Sequence, residues 1–111
     1  MVSVLEPTIQ QPAIQPAARA LKAMAHPLRL HILCVLGNTE VNVQDIVGAV
    51  GTSQSNISQH LAILRDKGII TSRKDANRVY YRIQDRRILN LIGMMRDVFP
   101  ASGLAERFAK S

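Results

Sequence analysis

Apolar residues recur along most of this chain at helical spacing. A stripe of small and branched residues predicts a first helix from Ala17 to Ala25, and His26 and Pro27 then interrupt the pattern. Proline suits the first turn of a helix, because its missing N–H has no partner there, so a second helix is predicted from Pro27 to Leu36. This second segment is apolar on almost every side, which is typical of a buried central helix.

Two short helices follow, with a glycine between them. The first, from about Val43 to Val50, ends at Gly51, and the second, from about Gln54 to Lys67, begins after the capping residue Ser53. A very short strand is predicted just before them, at 41–43. Two short helices joined by a tight turn form the helix-turn-helix pattern of DNA-binding proteins.

The spacing changes to that of strands after the fourth helix. Residues 78–83 alternate cleanly between an apolar and a polar side, and residues 69–74 form the other arm of a hairpin. The turn falls at 75–77, where Asp and Asn favour a tight bend. Because cations lie at its tip and on one side, we interpret this β-hairpin as a wing.

A last helix is predicted from about Asp85, with an apolar stripe that continues to Phe99 before Pro100. The predicted fold class is therefore mainly α with a β-hairpin (α+β), a winged helix-turn-helix of about five helices and a two-stranded wing. The predicted domain covers residues 17–99. Residues 1–16, rich in Pro and Gln, are expected to be a flexible arm, and residues 100–111 a tail.

Composition indicates the class of partner. The 111 residues suit one domain with a net charge of +6, and eight basic but only three acidic side chains lie between Arg65 and Arg87. Such an excess favours an anionic partner, either nucleic acid or a membrane surface. The single cysteine excludes an intrachain disulfide, no signal peptide is recognisable, and no apolar run approaches the roughly 20 residues of a membrane span. We therefore expect a cytoplasmic protein without a membrane segment.

The fourth helix has a side that suits the major groove of DNA. At about 100° per residue, Ile57, Leu61 and Leu64 share the core-facing side, and short polar residues occupy the opposite one. Gln and Asn can bond both edge groups of adenine, and Ser can contact bases or phosphates. A polar surface without a role is the alternative, but the short helix before it and the basic hairpin after it favour base contact. The predicted DNA-binding residues are Ser53, Gln54, Ser55, Asn56, Ser58, Gln59, His60, Arg73, Lys74 and Arg78.

The histidine and the wing cations of this set have different expected roles. His60 projects beside the buried stripe, so it is either a packed histidine bonded to the backbone or a phosphate contact. Arg73, Lys74 and Arg78 are expected to touch phosphate or the minor groove, which adds affinity and salt dependence more than sequence choice.

Three segments resemble the ArsR/SmtB family of winged-helix repressors, most closely its members that sense thiols or lack the metal sites. They are LKAMAHPLRLHILCVL, SQSNISQHLAILRDKGII and SRKDANRVYYRI, and the resemblance covers about residues 17–99. It implies a dimer built from the first and last helices, with recognition helices in successive major grooves roughly 34–36 Å apart, and release from DNA when an effector binds. The implied dimer interface contains Leu21, Met24, Ile88, Leu91, Ile92, Met95 and Phe99.

The chain departs from this family at its metal sites. Asn42 and Gln44 stand where one family site has cysteines. At a second site Asp85 is kept, but Arg87 replaces a histidine, and the later ligand positions, about Val98 and Ala101, carry no ligand. Because zinc needs about four ligands, we expect no metal and no other cofactor.

Cys34 is the remaining candidate for an effector site. Thiol-sensing relatives have a cysteine in this position and a second one near the end of the last helix, where this chain has Phe99 and Pro100. Three interpretations follow: an inert core thiol, because buried cysteine packs like a small hydrophobe; a sensor with one cysteine; or a metal site formed with His31 across the dimer.

Together these features predict a sequence-specific DNA-binding transcriptional regulator, a homodimer that represses from an inverted-repeat operator. Release by oxidation or other thiol modification at Cys34 is one mode of control. The alternatives are a constitutive repressor without an effector and a winged-helix module that binds a protein instead of DNA, although the basic wing disfavours the second. No general-base partners accompany Cys34, so an enzyme is not expected.

Overall fold

The computed structural model describes residues 11–100, with side chains from residue 14 onward. This part of the chain contains five helices and three strands. In chain order they are α1 (Gln11–Met24), α2 (Pro27–Leu36), β1 (Val41–Asn42), α3 (Val43–Val50), α4 (Gln54–Asp66), β2 (Ile70–Asp75), β3 (Arg78–Ile83) and α5 (Arg86–Val98).

The core lies between α2, α3, α4 and the sheet. Its fully buried side chains come from all three helices and from β2, and they include the three residues of α4 that were predicted to face inward. They are Ile32, Leu33, Leu36, Ile46, Ile57, Leu61, Leu64 and Ile70. Burial of this apolar surface is the main term that holds the helix-turn-helix together.

Local caps fix the two helices of the helix-turn-helix. The buried side chain of Asn42 accepts a hydrogen bond from the backbone N–H of Asp45 at 2.9 Å, which begins α3 directly after β1. Gly51 ends α3 in the left-handed region, with φ +85°, a conformation that side chains disfavour. Ser53 then accepts from the backbone N–H of Asn56 at 3.2 Å and begins α4. These bonds set the tight turn between the helices.

The sheet is antiparallel with strand order β1–β3–β2, so β1 adds a third strand to the predicted two-stranded wing. Asp75 pairs with Arg78, which leaves Ala76 and Asn77 as the turn, one residue shorter than predicted. Ala76 adopts φ +56°. The hairpin of β2 and β3 is called the wing below.

The first helix begins earlier than the sequence indicated. Residues 11–16 are helical, so this part of the predicted arm is wrong, while residues 1–10 lie outside the described residues, as does the predicted tail beyond Pro100. Pro12 lies in the first turn, where N–H groups have no acceptor within the helix, and Pro16 removes one further backbone bond. Prolines in a sequence favour a break, but Pro12 is compatible with the start of a helix, and the helix continues through Pro16, which lies inside it.

The second helix is buried on one side only, although it was predicted to be buried all round. Ile32, Leu33 and Leu36 lie in the core, whereas Leu30 and Cys34 are exposed on the other side. The first and last helices flank this side but leave an open groove over it. The interpretation of Cys34 as a buried core thiol is therefore wrong for a single chain.

The last helix matches its predicted start and end. Asp85 caps it by accepting from the backbone N–H of Arg87 at 2.9 Å, and the helix ends at Val98, before Pro100. It buries Ile92 and packs Ile88 and Leu89 against the core. None of the described helices is both long and apolar enough to cross a membrane.

Candidate nucleic-acid interface

The exposed side of the first two turns of α4 carries polar side chains and no charge. Gln54, Ser55, Ser58 and Gln59 are exposed and are called the polar face below; Ser55 and Gln59 lie opposite the buried stripe of the same helix, and Gln54 and Ser58 lie beside it. No charged residue occurs between Asp45 and Arg65. The N-terminal end of a helix favours anions, and no carboxylate in this segment opposes a phosphate.

Two residues predicted to contact DNA also build the start of α4. Ser53 is its N-cap, and the side chain of Asn56 donates to the Thr52 hydroxyl at 3.2 Å. Within the described residues, the four side chains of the polar face make no hydrogen bond with another side chain. They are therefore free to bond an external partner.

His60 packs at the junction between α4 and the start of α2. Its Nδ1 lies 3.1 Å from Nη1 of Arg29, and its ring centroid lies 4.6 Å from that of His26. Burial, followed by the nearby His26 and Arg29, lowers the pKa of His60. The histidine is packed, as one interpretation held, but its partner is a guanidinium rather than the backbone.

Arg73 of the wing is already engaged within the chain. Its Nε donates to both carboxylate oxygens of Glu40, at 2.9 and 2.8 Å, and its guanidinium lies 3.6 Å from Asp75 and 4.8 Å from the centroid of the Tyr80 ring. The hydrogen bond from Arg73 holds the pKa of Glu40 below its usual range. The positive charge of Arg73 is thus largely compensated, which the sequence did not indicate.

Lys74 and Arg78 are exposed and form no ion pair within the described residues. Residues that pair directly across antiparallel strands share a face of the sheet. Side chains also alternate between the two faces along a strand, so Lys74 is on the face that carries Ser72, which accepts from Arg65 of α4 at 3.2 Å. Arg78 is on the opposite face, close to the turn. The wing thus presents Lys74 on the α4 side and Arg78 near its tip, and Arg82, farther from the tip on β3, is a third exposed cation that forms no ion pair within the described residues.

The positions that bind metal in the resembling family have other partners here. Asn42 bonds Asp45, and Asp85 forms an ion pair with Arg87 at 2.6 Å, which lowers the pKa of Asp85 to about 2. Across residues 11–100, no three His, Cys, Asp or Glu side chains gather closely enough to hold a metal ion.

A second surface is apolar. Of the nine large apolar side chains exposed in the described part of the chain, eight lie on α1, α2 or α5 or directly after α5. A groove of about 350 Å³ runs between these helices. Its exposed lining includes Ala25 and one cation, Arg96, and six further side chains that are called the apolar face below: Leu21, Leu30, Cys34, Leu91, Met95 and Phe99.

The apolar face includes only some of the residues that were predicted to form the dimer interface. Leu21, Leu91, Met95 and Phe99 are on it, between 40% and 53% exposed. Met24 and Ile92 are buried in the core of their own chain, and Ile88 packs against that core.

Sequence reasoning missed the two side-chain contacts that modify the candidate interface. The bond between Glu40 and Arg73 depends on the pairing of β1 with β3, and the bond between Arg29 and His60 joins residues 31 positions apart. A cation and an anion in separate predicted elements carry no local signal of contact. The motif around His26 and Pro27 signalled a helix start, but not the histidine pair.

The comparisons with known proteins all point to one family. The model of the family described as "Bacterial regulatory protein, arsR family" matches residues 26–72. The HTH-type transcriptional regulator YgaV of Escherichia coli (strain K12) is 40% identical over 90 residues, which cover 80% of this chain and 91% of that protein. The biofilm growth-associated repressor of Xylella fastidiosa (strain 9a5c) is 31% identical over 84 residues, covering 76% of this chain and 74% of the repressor.

A solved structure agrees with the fold. The homodimeric winged helix-turn-helix DNA-binding domain Mb0332 from Mycobacterium bovis superposes with a TM-score of 0.74 at 30% sequence identity, covering 82% of this chain and 84% of that domain. The winged helix-turn-helix predicted from the sequence is thereby confirmed.

Proposed function

Because the chain belongs to the arsR family of bacterial regulatory proteins, we propose that it is a sequence-specific transcriptional repressor that binds duplex DNA as a homodimer. The observation that carries this proposal is the polar face of α4, whose four side chains carry no charge and bond no other side chain in the described part of the chain, next to a wing on which Lys74 and Arg78 are exposed and form no ion pair there. With DNA as its partner, the protein acts in the cytoplasm.

The polar face supplies the sequence choice in this proposal. Gln54 and Gln59 can bond two groups of one base edge, and Ser55 and Ser58 are short enough to let the helix approach closely. Lys74 and Arg78 contribute phosphate contacts, which fix position and add affinity without reading sequence. Ser53 and Asn56 fix the start of α4, and so keep the other side chains of this helix in position to reach the bases.

The apolar face supplies the dimer. Soluble monomers rarely expose a contiguous apolar patch of more than a few hundred Å². α5 buries only Ile92 in its own chain, and a helix of this length needs tertiary packing to be stable. A second copy on the same face satisfies both needs. The two-fold axis then presents two α4 helices to DNA, which implies an inverted repeat.

Cys34 provides a site of control in this dimer. It is the one cysteine of the chain and lies on the apolar face, next to Leu30 and Met95 in the groove. An adduct on its sulfur would change the packing between the two copies. Because Cys34 lies on α2, which packs against α4, the adduct would also shift the position of α4. Unchanged oxidant response of the DNA complex in Cys34→Ser would remove this mode of control and favour a constitutive repressor.

Base reading is tested by Gln59→Ala, with Gln84→Ala as the matched control because Gln84 is exposed away from α4. We expect Gln59→Ala to weaken binding to a selected operator by about 1–3 kcal/mol for each bidentate base pairing that it removes, and to leave binding to random DNA unchanged. Gln84→Ala should change neither. Equal losses on both DNAs would contradict base reading by the polar face. Repression is tested by transcription from an operator-linked promoter, where increased transcription would contradict it.

A further inference from the structure

One guanidinium joins three helices next to the polar face. Arg29 of α2 donates through Nε to the backbone carbonyl of Ala23, in the last turn of α1, and Nη1 of the same group lies 3.1 Å from Nδ1 of His60 on α4. His26, the residue that caps α2, stacks at a tilt of 38° on the His60 ring.

The chemistry of these bonds determines where the protons are. A guanidinium has only donors, so Nδ1 of His60 must accept, and the ring carries its proton on Nε2. His26 is constrained in the same sense, because its Nδ1 accepts from the backbone N–H of Leu28 at 3.1 Å. Both bonds require that the Nδ1 positions are unprotonated.

Resting on the proposed function, we infer that Arg29 is a positioning residue that ties α4 to the end of α1 through a neutral His60, and that protonation of His60 releases this tie and weakens operator binding. His60 directly follows Gln59 of the polar face. The tie therefore acts on the register of the side chains that read bases. Because the other end of the tie is the last turn of α1, it also connects α4 to a helix of the apolar face.

The surroundings of His60 oppose its protonation. The charged or titratable groups that act on the ring are His26 and Arg29, both from the start of α2. α1 presents the Ala23 carbonyl at this junction, and its cations Arg19 and Lys22 are exposed. On α3, the carboxylate of Asp45 accepts a hydrogen bond from the side chain of Asn42. Within the described residues, no carboxylate bonds the ring, so an added proton meets only positive or neutral neighbours.

Protonation converts Nδ1 from an acceptor into a donor that faces another donor. The bond to Arg29 then breaks, and two cations stand in contact. Burial lowers the pKa of His60 below its ordinary value of 6.5, so the unfolded chain binds this proton more readily than the folded one. The stabilisation from the tie is therefore complete above pH 6.5 and is lost as the pH falls through the lowered pKa.

The test compares the full-length wild type with two variants. In His60→Asn, Oδ1 can replace Nδ1 as the acceptor, and the side chain cannot titrate. His31→Asn is the control, because His31 is an exposed histidine outside the junction. Affinity for a duplex recovered by genomic selection, and for a random duplex of equal length, is measured from pH 7.5 to pH 5.5. We expect the operator preference of wild type and of His31→Asn to fall by about tenfold more than that of His60→Asn. Parallel pH profiles in all three proteins would overturn the inference.

Two further measurements keep the test independent of folding failures and of the proposed function. Arg29→Lys keeps the charge but provides only one donor group, so it should reduce operator preference at pH 7.5 without unfolding the protein; wild-type preference in this variant would overturn the role of Arg29. NMR titration without DNA should show His60 neutral at Nδ1 and titrating below pH 6.5. A His60 that titrates at or above that value refutes the tie even if no operator exists, whereas failure to select any operator refutes the proposed function alone.

Discussion

Removal of single wing cations should change the salt dependence of DNA binding in a way that depends on their partners in the free protein. Lys74 and Arg78 form no ion pair in the described part of the chain, whereas Arg73 is held by Glu40 and Asp75. We expect Lys74→Gln and Arg78→Gln to lower the salt dependence strongly, and Arg73→Gln to lower it only weakly. The reason is that the charge of Arg73 is already compensated before DNA arrives.

The magnitude follows from counterion release. Each phosphate neutralised on B-DNA contributes about 0.9 to the slope of log K against log salt concentration, so one cation in each of two protomers contributes about 1.8. Between 50 and 200 mM salt, this amounts to about a 12-fold difference in how far affinity falls. Lys74→Gln and Arg78→Gln should each reduce the loss of affinity by about this factor.

Fluorescence anisotropy with one labelled duplex at four or more salt concentrations measures these slopes. Glu40→Gln is the informative control, because it frees Arg73 and should increase the slope. Equal slopes for Arg73→Gln and Lys74→Gln would refute the argument that the bond with Glu40 prevents Arg73 from neutralising a phosphate. Unchanged slopes for all variants would remove the wing from the DNA interface.

Three further outcomes are expected. Met95→Glu places a charge on the apolar face and should yield monomers in light scattering, whereas Ile63→Glu, exposed on α4, should leave the dimer intact; dimers in both would contradict the assigned interface. Ala76→Gly should stabilise the fold by about 1 kcal/mol in urea unfolding, since alanine disfavours φ +56°, and a loss of stability would refute this. Asp85→Ala should lower the melting temperature. Asp85→Asn should lower it much less, because asparagine can still cap α5. Since the pKa of Asp85 is lowered to about 2, its stabilisation is present above pH 3.8 and is lost as the pH falls toward 2; a pH-independent difference between wild type and Asp85→Asn would contradict this.

The parts of the fold that depend on local chemistry could be predicted from the sequence. Pro27 begins α2 through its fixed φ and missing N–H, and Gly51 ends α3 and Ser53 caps α4 through bonds to neighbours within a few residues. Periodicity identified the buried stripe of α4 and, by the same argument, the exposed polar face. These are short-range signals, and the structure agrees with them.

The parts that depend on long-range contacts could not be predicted. Whether Cys34 is buried depends on how far α1 and α5 cover α2, and the sequence of α2 is apolar on both sides. The partner of Arg73 required the register of β1 against β3. The start of α1 was misplaced for a different reason, because proline both ends helices and begins them, and only its position in the turn distinguishes the two cases.

Selection of genomic DNA fragments by the full-length protein, followed by sequencing, tests the central claim most directly. The account predicts one enriched motif with two-fold symmetry, its half-sites about 10–10.5 base pairs apart from centre to centre or a multiple of this spacing, and loss of that motif in Gln59→Ala. Recovery of no motif above random DNA, together with capture of a stoichiometric protein partner by the same preparation, would contradict it and identify the winged helix as a protein-binding module.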